Sequence, residues 1–178
     1  LSWEVREKGF TPSSSTLALQ RGGWSAAGGY PEWLEIGEDM YFNHAWNKMG
    51  VKHVMAKSAL AYWRMRGDLA ALLRQYFLYS RGDGEAGMYP HRHLLRFATY
   101  GWLAFCAVSP RVRRLAGPTA GAAVLYTGRR WLRIPFYMEG RPAGEKAAAA
   151  PCISLLMLAI DGAKMYGYLA GLARRIKR

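Results

Sequence analysis

The first interpretation of this chain comes from residues 37–50, which read Gly37-Glu38-Asp39-Met40-Tyr41-Phe42-Asn43-His44-Ala45-Trp46-Asn47-Lys48-Met49-Gly50. Two acidic side chains stand at its start, where they suit the positive end of a helix dipole. Gly50 is well suited to the left-handed residue that follows a helix. The stretch therefore predicts a helix from Glu38 to Met49.

Short apolar runs on both sides of this helix indicate strands. Residues 16–20 precede it, and residues 51–55 and 59–63 follow it. A brief helical turn near Trp24 lies between the first run and the helix, and it is stopped by Gly28 and Gly29. Alternation of short strands and helices is typical of α/β domains, so we predict an α/β fold for this part of the chain.

A second helix is predicted downstream, beginning after Asp68, which is a good N-cap residue. An apolar stripe at helical spacing follows Asp68, formed by Leu69, Leu72, Leu73, Tyr76 and Phe77. The sequence Gly82-Asp83-Gly84 is expected to weaken or end this helix, because glycine disfavours helix interiors.

The net charge of +13 is concentrated in the second half of the chain. Residues 1–87 carry 10 Lys/Arg against 9 Asp/Glu, whereas residues 88–178 carry 15 Lys/Arg against 3 Asp/Glu. The basic residues flank apolar runs, which favours an anionic membrane surface over nucleic acid as the partner. Charge balance and periodicity both change near Tyr89-Pro90, so we place the boundary between two regions after residue 87.

The apolar runs of the second region are short for a membrane span. The longest, residues 147–160, is 14 residues, and about 20 are needed for a straight transmembrane helix. Extending it would bring in Asp161 and Lys164, which is costly unless they are paired. We therefore favour interfacial or re-entrant helices over a true span.

Glu38 and Asp39 are the first candidates for chemistry. A transferase that acts on a hydroxyl needs a carboxylate within hydrogen-bond reach of it. The alternative is structural, because acidic residues in a first turn stabilise a helix end. Among the histidines, His91 and His93 have no companion ligands at metal-binding spacing, so these residues predict no metal site.

Arg74 and Arg81 are the second candidates. Seven residues apart on a helix, they share one face about 10.5 Å apart along the axis. Guanidinium groups bind diphosphates through bidentate hydrogen bonds. The alternative is that both arginines belong to a solvated face.

Several of these stretches, in their order along the chain, resemble the second half of family 2 glycosyltransferases, especially bacterial enzymes of polysaccharide and cell-envelope glycan assembly. The resemblance is carried by residues 14–21, Trp24, residues 28–34 (Gly-Gly-Tyr-Pro-Glu-Trp-Leu), residues 37–39 (Gly-Glu-Asp), residues 74–76 (Arg-Gln-Tyr) and residues 79–84 (Tyr-Ser-Arg-Gly-Asp-Gly), and more loosely by residues 161–168. No Trp follows Arg81, which disfavours a processive polymerase.

The resemblance implies a fold: the C-terminal half of a GT-A (Rossmann-like) domain at residues 1–87, then a mostly helical, membrane-associated tail at residues 88–178. It implies inverting transfer of a sugar from a nucleotide-diphosphate sugar to a hydroxyl of a glycan or lipid-linked acceptor. Asp39 would be the general base, and Glu38 would orient the loop or the acceptor. Substrate contacts would come from Gly28, Gly29, Trp33, Arg74, Gln75 and Arg81.

The resemblance also implies a divalent metal, Mg or Mn, whose ligands lie mostly outside this sequence. The nucleotide-binding half and its Asp-x-Asp do not occur in these residues, so we expect a fragment that is inactive alone. The expected location is the cytoplasmic face of the plasma (inner) membrane. Two alternatives stay open: a non-enzymatic basic module that binds a membrane surface, and a nucleic-acid-binding protein.

Overall fold

A computed structural model describes residues 12–178 except 51–53, 55, 57, 60, 61, 63, 65, 110, 111, 113 and 114. Within these residues the chain forms a short 3-10 turn (Ser14–Thr16) and seven helices: α1 (Arg21–Ala26), α2 (Glu38–Lys48), α3 (Leu69–Ala86), α4 (Pro90–Val108), α5 (Ala116–Trp131), α6 (Ile134–Tyr137) and α7 (Ala143–Ile176).

The described residues are predominantly helical and contain no strand, so the predicted α/β (Rossmann-like, GT-A) fold is wrong for them. The predicted strand at 16–20 is replaced by the 3-10 turn and irregular chain. Here the Thr16 amide donates to the Ser13 carbonyl at 2.9 Å, and the two hydroxyl oxygens are 3.2 Å apart. Such local bonds offer the backbone an alternative to sheet pairing. The other two predicted strands, 51–55 and 59–63, lie largely outside the described residues.

The two predicted helices are confirmed by α2 and α3. The α3 N-cap is also confirmed, because the Asp68 carboxylate accepts a hydrogen bond from the Ala71 amide at 2.7 Å. The expected stop at residues 82–84 is wrong: α3 continues to Ala86 and ends at Gly87, which has a φ of 68°. A left-handed Gly after the last turn is a common way to end a helix.

Two compact units make up the chain. The first comprises Leu1–Met88 together with Gly167–Arg178, and the second comprises Tyr89–Tyr166. The C-terminal end of α7 therefore belongs to the first unit, whereas most of α7 belongs to the second.

In the first unit, α3 and the end of α7 touch backbone to backbone through glycines. A Cβ added to Gly84 would collide with the Tyr168 carbonyl, and one on Gly167 would collide with the Phe77 carbonyl. A Cβ on Gly171 would meet the Glu85 amide nitrogen at 2.7 Å. Small residues permit this close helix packing, and the Gly-x-x-x-Gly spacing of 167 and 171 puts both glycines on one face.

An aromatic cluster, defined as Trp24, Tyr30, Phe42 and Trp46, packs α1 against α2. The ring centroids of Trp24 and Tyr30 are 4.5 Å apart, and Phe42 lies 4.9 Å from Trp24 and 5.5 Å from Trp46. Phe42 is only 1% exposed, so it is the centre of this core. Edge-to-face and tilted pairs at such distances are favourable arrangements of aromatic rings. The cluster holds the start of α2 against the preceding loop.

In the second unit, polar side chains join α4, α5 and α7. The Trp102 indole donates to the Thr119 hydroxyl at 3.1 Å, and the Trp131 indole donates to the Ser154 hydroxyl at 3.2 Å. An ion pair between Arg96 and Asp161 joins α4 to α7 at 2.8 Å. Few apolar side chains of this unit are fully buried, and Cys106 and Ile134 are among them.

The helix α7 is a continuous element of 34 residues with Pro151 inside it. By length and composition it is able to cross a membrane, and its apolar window is not buried within the protein. The predicted apolar run 147–160 lies in this helix, which extends through Asp161 and Lys164. This feature is consistent with association with a membrane.

Candidate functional site

Glu38 and Asp39 form the first turn of α2, directly after Gly37, which has a φ of 86°. Both acidic residues are half-buried. One carboxylate oxygen of Asp39, Oδ1, accepts from the Met40 amide at 2.8 Å, and the other, Oδ2, accepts from the Ser14 amide at 3.2 Å. These bonds hold the carboxylate in place while leaving part of it accessible to solvent.

Tyr30 lies close to these two carboxylates, although the sequence did not single it out as a site residue. Burial raises the pKa of the Tyr30 phenol above its ordinary value, and the negative charges of Asp39 and then Glu38 raise it further. The phenol therefore stays protonated and remains able to donate a hydrogen bond near the carboxylates. The ring itself belongs to the aromatic cluster, so its position is set by packing.

Arg81 is largely buried on α3 and forms an ion pair with the loop that leads into α2. Its Nη2 atom lies 2.7 Å from Oε2 of Glu35, and its side chain is 13% exposed. Within the described part of the chain, its Nε atom is buried without a hydrogen-bond partner. A buried guanidinium with an unmatched donor has capacity for a further acceptor.

Gly82 brings the same loop against α3. A Cβ at this position would collide with the Ile36 carbonyl oxygen, so only glycine allows the contact. Ile36 is two residues before Glu38, and Glu35 is the partner of Arg81. The segment Glu35 to Asp39, which we call the acidic loop, is therefore tied to α3 next to Arg81 and ends in the predicted catalytic pair.

Arg74 and Gln75 lie further along α3, towards its N-terminus. Arg74 is exposed. The Gln75 side chain accepts from Nε of Arg66 at 3.3 Å and donates to the Tyr79 hydroxyl at 2.7 Å. Gln75 is thus engaged on α3 itself, and its role in binding substrate stays a prediction, as does that of Arg74.

Gly28 and Gly29 follow α1, with φ values of 85° and 66°. Both are in the left-handed region that favours glycine, and together they turn the chain so that Tyr30 packs on Trp24. A Cβ on Gly29 would lie 3.0 Å from Nε1 of Trp24, whereas Gly28 faces open space. Close approach of a sugar to these residues stays a prediction.

Trp33, in the Gly/Pro-rich loop before α2, is 39% exposed, and its contact with substrate stays a prediction. Its ring makes an edge contact with Tyr41 at 5.5 Å. The guanidinium of Arg178 stacks over the ring at 4.3 Å and donates to the Trp33 carbonyl at 2.5 Å. Such stacking is a favourable use of arginine. Trp33 and Arg178 therefore share one surface.

Sequence analysis did not predict the set of charged residues that connects the acidic loop with the end of α7. Nη1 of Arg174 lies 3.5 Å from Oε2 of Glu35, so Glu35 is shared by Arg81 and Arg174. Glu85, whose side chain is 9% exposed, lies 3.9 Å from Arg174 and 3.6 Å from Arg178. Sequence reasoning assigned these basic residues to a membrane-facing tail. The glycines at the contact between α3 and α7 are the sequence signal that could have predicted the packing of the end of α7 on α3.

The described residues contain no group of three or more His, Cys, Asp or Glu side chains that could hold a metal ion. The divalent Mg or Mn ion that the resemblance implies stays a prediction.

Comparisons with protein-family models, with curated proteins and with solved structures give no match to this chain.

Proposed function

We propose that this chain is the acceptor-side part of a membrane-associated sugar transferase. The reaction is inverting transfer of a sugar from a nucleotide-diphosphate sugar to a hydroxyl of a glycan or lipid-linked acceptor, in polysaccharide or cell-envelope glycan synthesis. It takes place at the cytoplasmic face of the plasma (inner) membrane. The described residues form helices and irregular chain but no strand, so we propose the site without an α/β fold.

The observation that carries the proposal is the acidic loop. It presents the half-buried Asp39 carboxylate at its end and is fastened to α3 by the Glu35–Arg81 ion pair and by the contact of Ile36 with Gly82. A base for the acceptor and a cation for the leaving group are thus held in one compact unit. Holding both groups in place before reaction lowers the entropic cost of the transition state.

In the proposed step, the acceptor hydroxyl oxygen attacks the anomeric carbon of the donor sugar. The proton of that hydroxyl passes to the Asp39 carboxylate, and the electron pair of the breaking carbon–oxygen bond leaves with the nucleoside diphosphate. The amides of Met40 and Ser14 keep the Asp39 carboxylate oriented. A correctly placed general base typically accelerates such a step about 10²–10⁴-fold.

Arg81 supplies positive charge for the departing diphosphate. Its Nη2 is held by Glu35, which fixes the position of the guanidinium group. Fixed donors aimed at developing negative charge stabilise a transition state more than mobile water does. Arg74, exposed about 10.5 Å away along the α3 axis, would contact the same leaving group from the solvent side.

The nucleotide-binding residues and the ligands of the divalent metal are assigned to sequence beyond the described residues. When bound, such a metal would neutralise charge on the donor diphosphate.

The test uses the full-length protein that carries this chain, in isolated membranes supplied with a panel of labelled UDP-, GDP- and dTDP-hexoses. We expect Asp39→Asn to lower transfer to the endogenous acceptor by about 10²-fold or more, because the amide cannot take the proton. Glu32→Gln is the matched control, since Glu32 is an exposed acid of the preceding loop, and it should leave the rate unchanged. Full activity of Asp39→Asn would remove Asp39 from the mechanism.

A second candidate function is a non-enzymatic module that binds a membrane surface. It is favoured by the same Asp39 contacts, because two backbone amides bound to a carboxylate also stabilise a helix start. It is favoured too by the basic and apolar composition of the second region. Membrane binding by a protein that shows no transfer from any donor of the panel would support this alternative.

A further inference from the structure

A half-buried polar cluster lies in the second unit, between α4 and α7. The Arg96 guanidinium and the Asp161 carboxylate are 2.8 Å apart, with side chains 17% and 18% exposed. The Tyr100 hydroxyl donates to the other oxygen of Asp161 at 3.0 Å. Nη1 of Arg96 also lies 3.3 Å from Nδ1 of His93. Both oxygens of Asp161 are therefore occupied by donors from α4.

Further cations surround this pair. Lys164 is half-buried on α7, one turn after Asp161, and Arg92 precedes Arg96 by one turn of α4, so both lie on the helix faces that carry the Arg96–Asp161 pair. Arg130 lies at the end of α5, where the neighbouring Trp131 is hydrogen-bonded to Ser154 of α7, and it acts electrostatically on Lys164, as Arg92 and Arg96 do. These side chains come from α4, α5 and α7. We call Arg92, Arg96, Arg130 and Lys164, together with Asp161, the cationic cluster. The cluster contains four positive charges and one carboxylate, and that carboxylate is already paired with Arg96. Like charges held together repel one another unless an anion joins them.

We propose that the cationic cluster binds the phosphate group of an anionic membrane lipid. Guanidinium and ammonium groups donate charge-assisted hydrogen bonds to phosphate oxygens. The Arg92 guanidinium is positioned by the ring of Tyr89, which it covers at 5.0 Å. The Arg96–Asp161 pair forms the fixed base of the site, while Arg92 and Arg130 are exposed and accessible to a ligand.

The surface around the cluster favours a lipid over a soluble anion. Large apolar side chains are exposed on each of its three helices: Leu94, Leu95, Phe105 and Val108 on α4, Val124, Leu125 and Tyr126 on α5, and Leu155 and Leu158 on α7. Exposed apolar surface of this extent marks an interaction site, and beside basic residues it suits the boundary between headgroups and acyl chains. Nucleic acid would contact the cations and leave the apolar side chains in water.

This inference goes beyond the proposed function, because it requires only the second unit and no sugar transfer. It is tested with the purified protein and phosphatidylcholine vesicles, with and without phosphatidic acid, by flotation. Arg92→Gln and Arg130→Gln each change one exposed cation of the cluster. Arg129→Gln is the matched control: Arg129 is also exposed, but as the preceding residue of α5 it points about 100° away from Arg130 around the helix axis.

We expect binding to vesicles that contain phosphatidic acid, and each cluster variant should weaken it by about five-fold or more, whereas Arg129→Gln should change it by less than about two-fold. Equal losses for Arg129→Gln and Arg130→Gln would show diffuse attraction and overturn the site. Inorganic phosphate should not displace the protein from vesicles. Displacement by phosphate, or binding to duplex DNA with the same variant dependence and no binding to vesicles, would also overturn the proposal.

Discussion

At the scale of single residues, glycines allow the segments of the first unit to pack closely against one another. Gly82, Gly84, Gly167 and Gly171 all lie where a Cβ would collide with backbone of a neighbouring segment. Backbone is less able to move away than the end of a flexible side chain. These positions therefore specify packing, although in the sequence they look like helix breakers.

A first prediction concerns Gly171, whose Cα lies against α3. Gly171→Ala should lower the free energy of unfolding by about 1–3 kcal/mol, because the added methyl overpacks the contact with Glu85 and Gly84. Gly162→Ala is the control in the same helix, since nothing lies within 4 Å of a Cβ there. That variant should raise stability by up to about 1 kcal/mol through helix propensity. Denaturant unfolding in mild detergent measures both, and equal effects would contradict the close packing.

The carboxylates show that residue identity alone does not decide a role. Asp39 and Asp68 both stand at helix starts and both bind backbone amides. Asp68 is exposed and serves its own helix, whereas Asp39 is half-buried and also binds Ser14, 25 residues away. The long-range bond couples Asp39 to a separate segment, which a simple cap does not require.

At the scale of elements, α7 combines an apolar run with charged residues whose partners come from another helix and from the acidic loop. Asp161 is paired with Arg96 of α4, and Arg174 near the end of α7 is paired with Glu35. The cost of placing Asp161 in an apolar helix is therefore offset by a specific ion pair. Because Asp161 is paired with Arg96, the apolar run of α7 can include Asp161 and so reach the length needed to span a membrane.

A second prediction tests that ion pair. Asp161→Asn should destabilise the protein by about 2–3 kcal/mol, because it leaves the largely buried Arg96 without a counter-charge. Glu145→Gln is the matched control: Glu145 pairs with Arg141 at 3.7 Å on the exposed surface, and its loss should cost about 0–1 kcal/mol. Thermal unfolding in detergent compares the two. Equal effects would mean that the Arg96–Asp161 pair is no stronger than a surface pair.

At the scale of the whole molecule, the chain returns to its first unit at the end. Residues Gly167–Arg178 contact α3 and the acidic loop, so the first unit is assembled from segments far apart in sequence. The basic C-terminus has a structural role here: Arg174 and Arg178 pair with Glu35 and Glu85. Six of the 15 Lys/Arg of residues 88–178 thus belong either to these ion pairs or to the cationic cluster.

A third prediction concerns the packing of Gly167–Arg178 on α3. In a chain that ends at Tyr166, the amides of α3 should exchange hydrogen at least about ten-fold faster, equivalent to about 1.4 kcal/mol less protection, because its glycine face loses its partner. Amides of α4, which belongs to the second unit, should be unchanged and serve as the internal control. Unchanged exchange in α3 would show that α3 is stable without the end of α7.

The sequence by itself determined the local features. The helices α2 and α3 and the Asp68 cap follow from residues within a few positions of one another, because capping and helical periodicity are short-range effects. The tertiary structure alone decided the continuation of α3 through residues 82–84 and the partners of Arg81 and Asp161. Those outcomes depend on contacts between distant segments, because Gly82 and Gly84 pack against other parts of the chain and a largely buried charge needs a counter-charge brought to it by the fold.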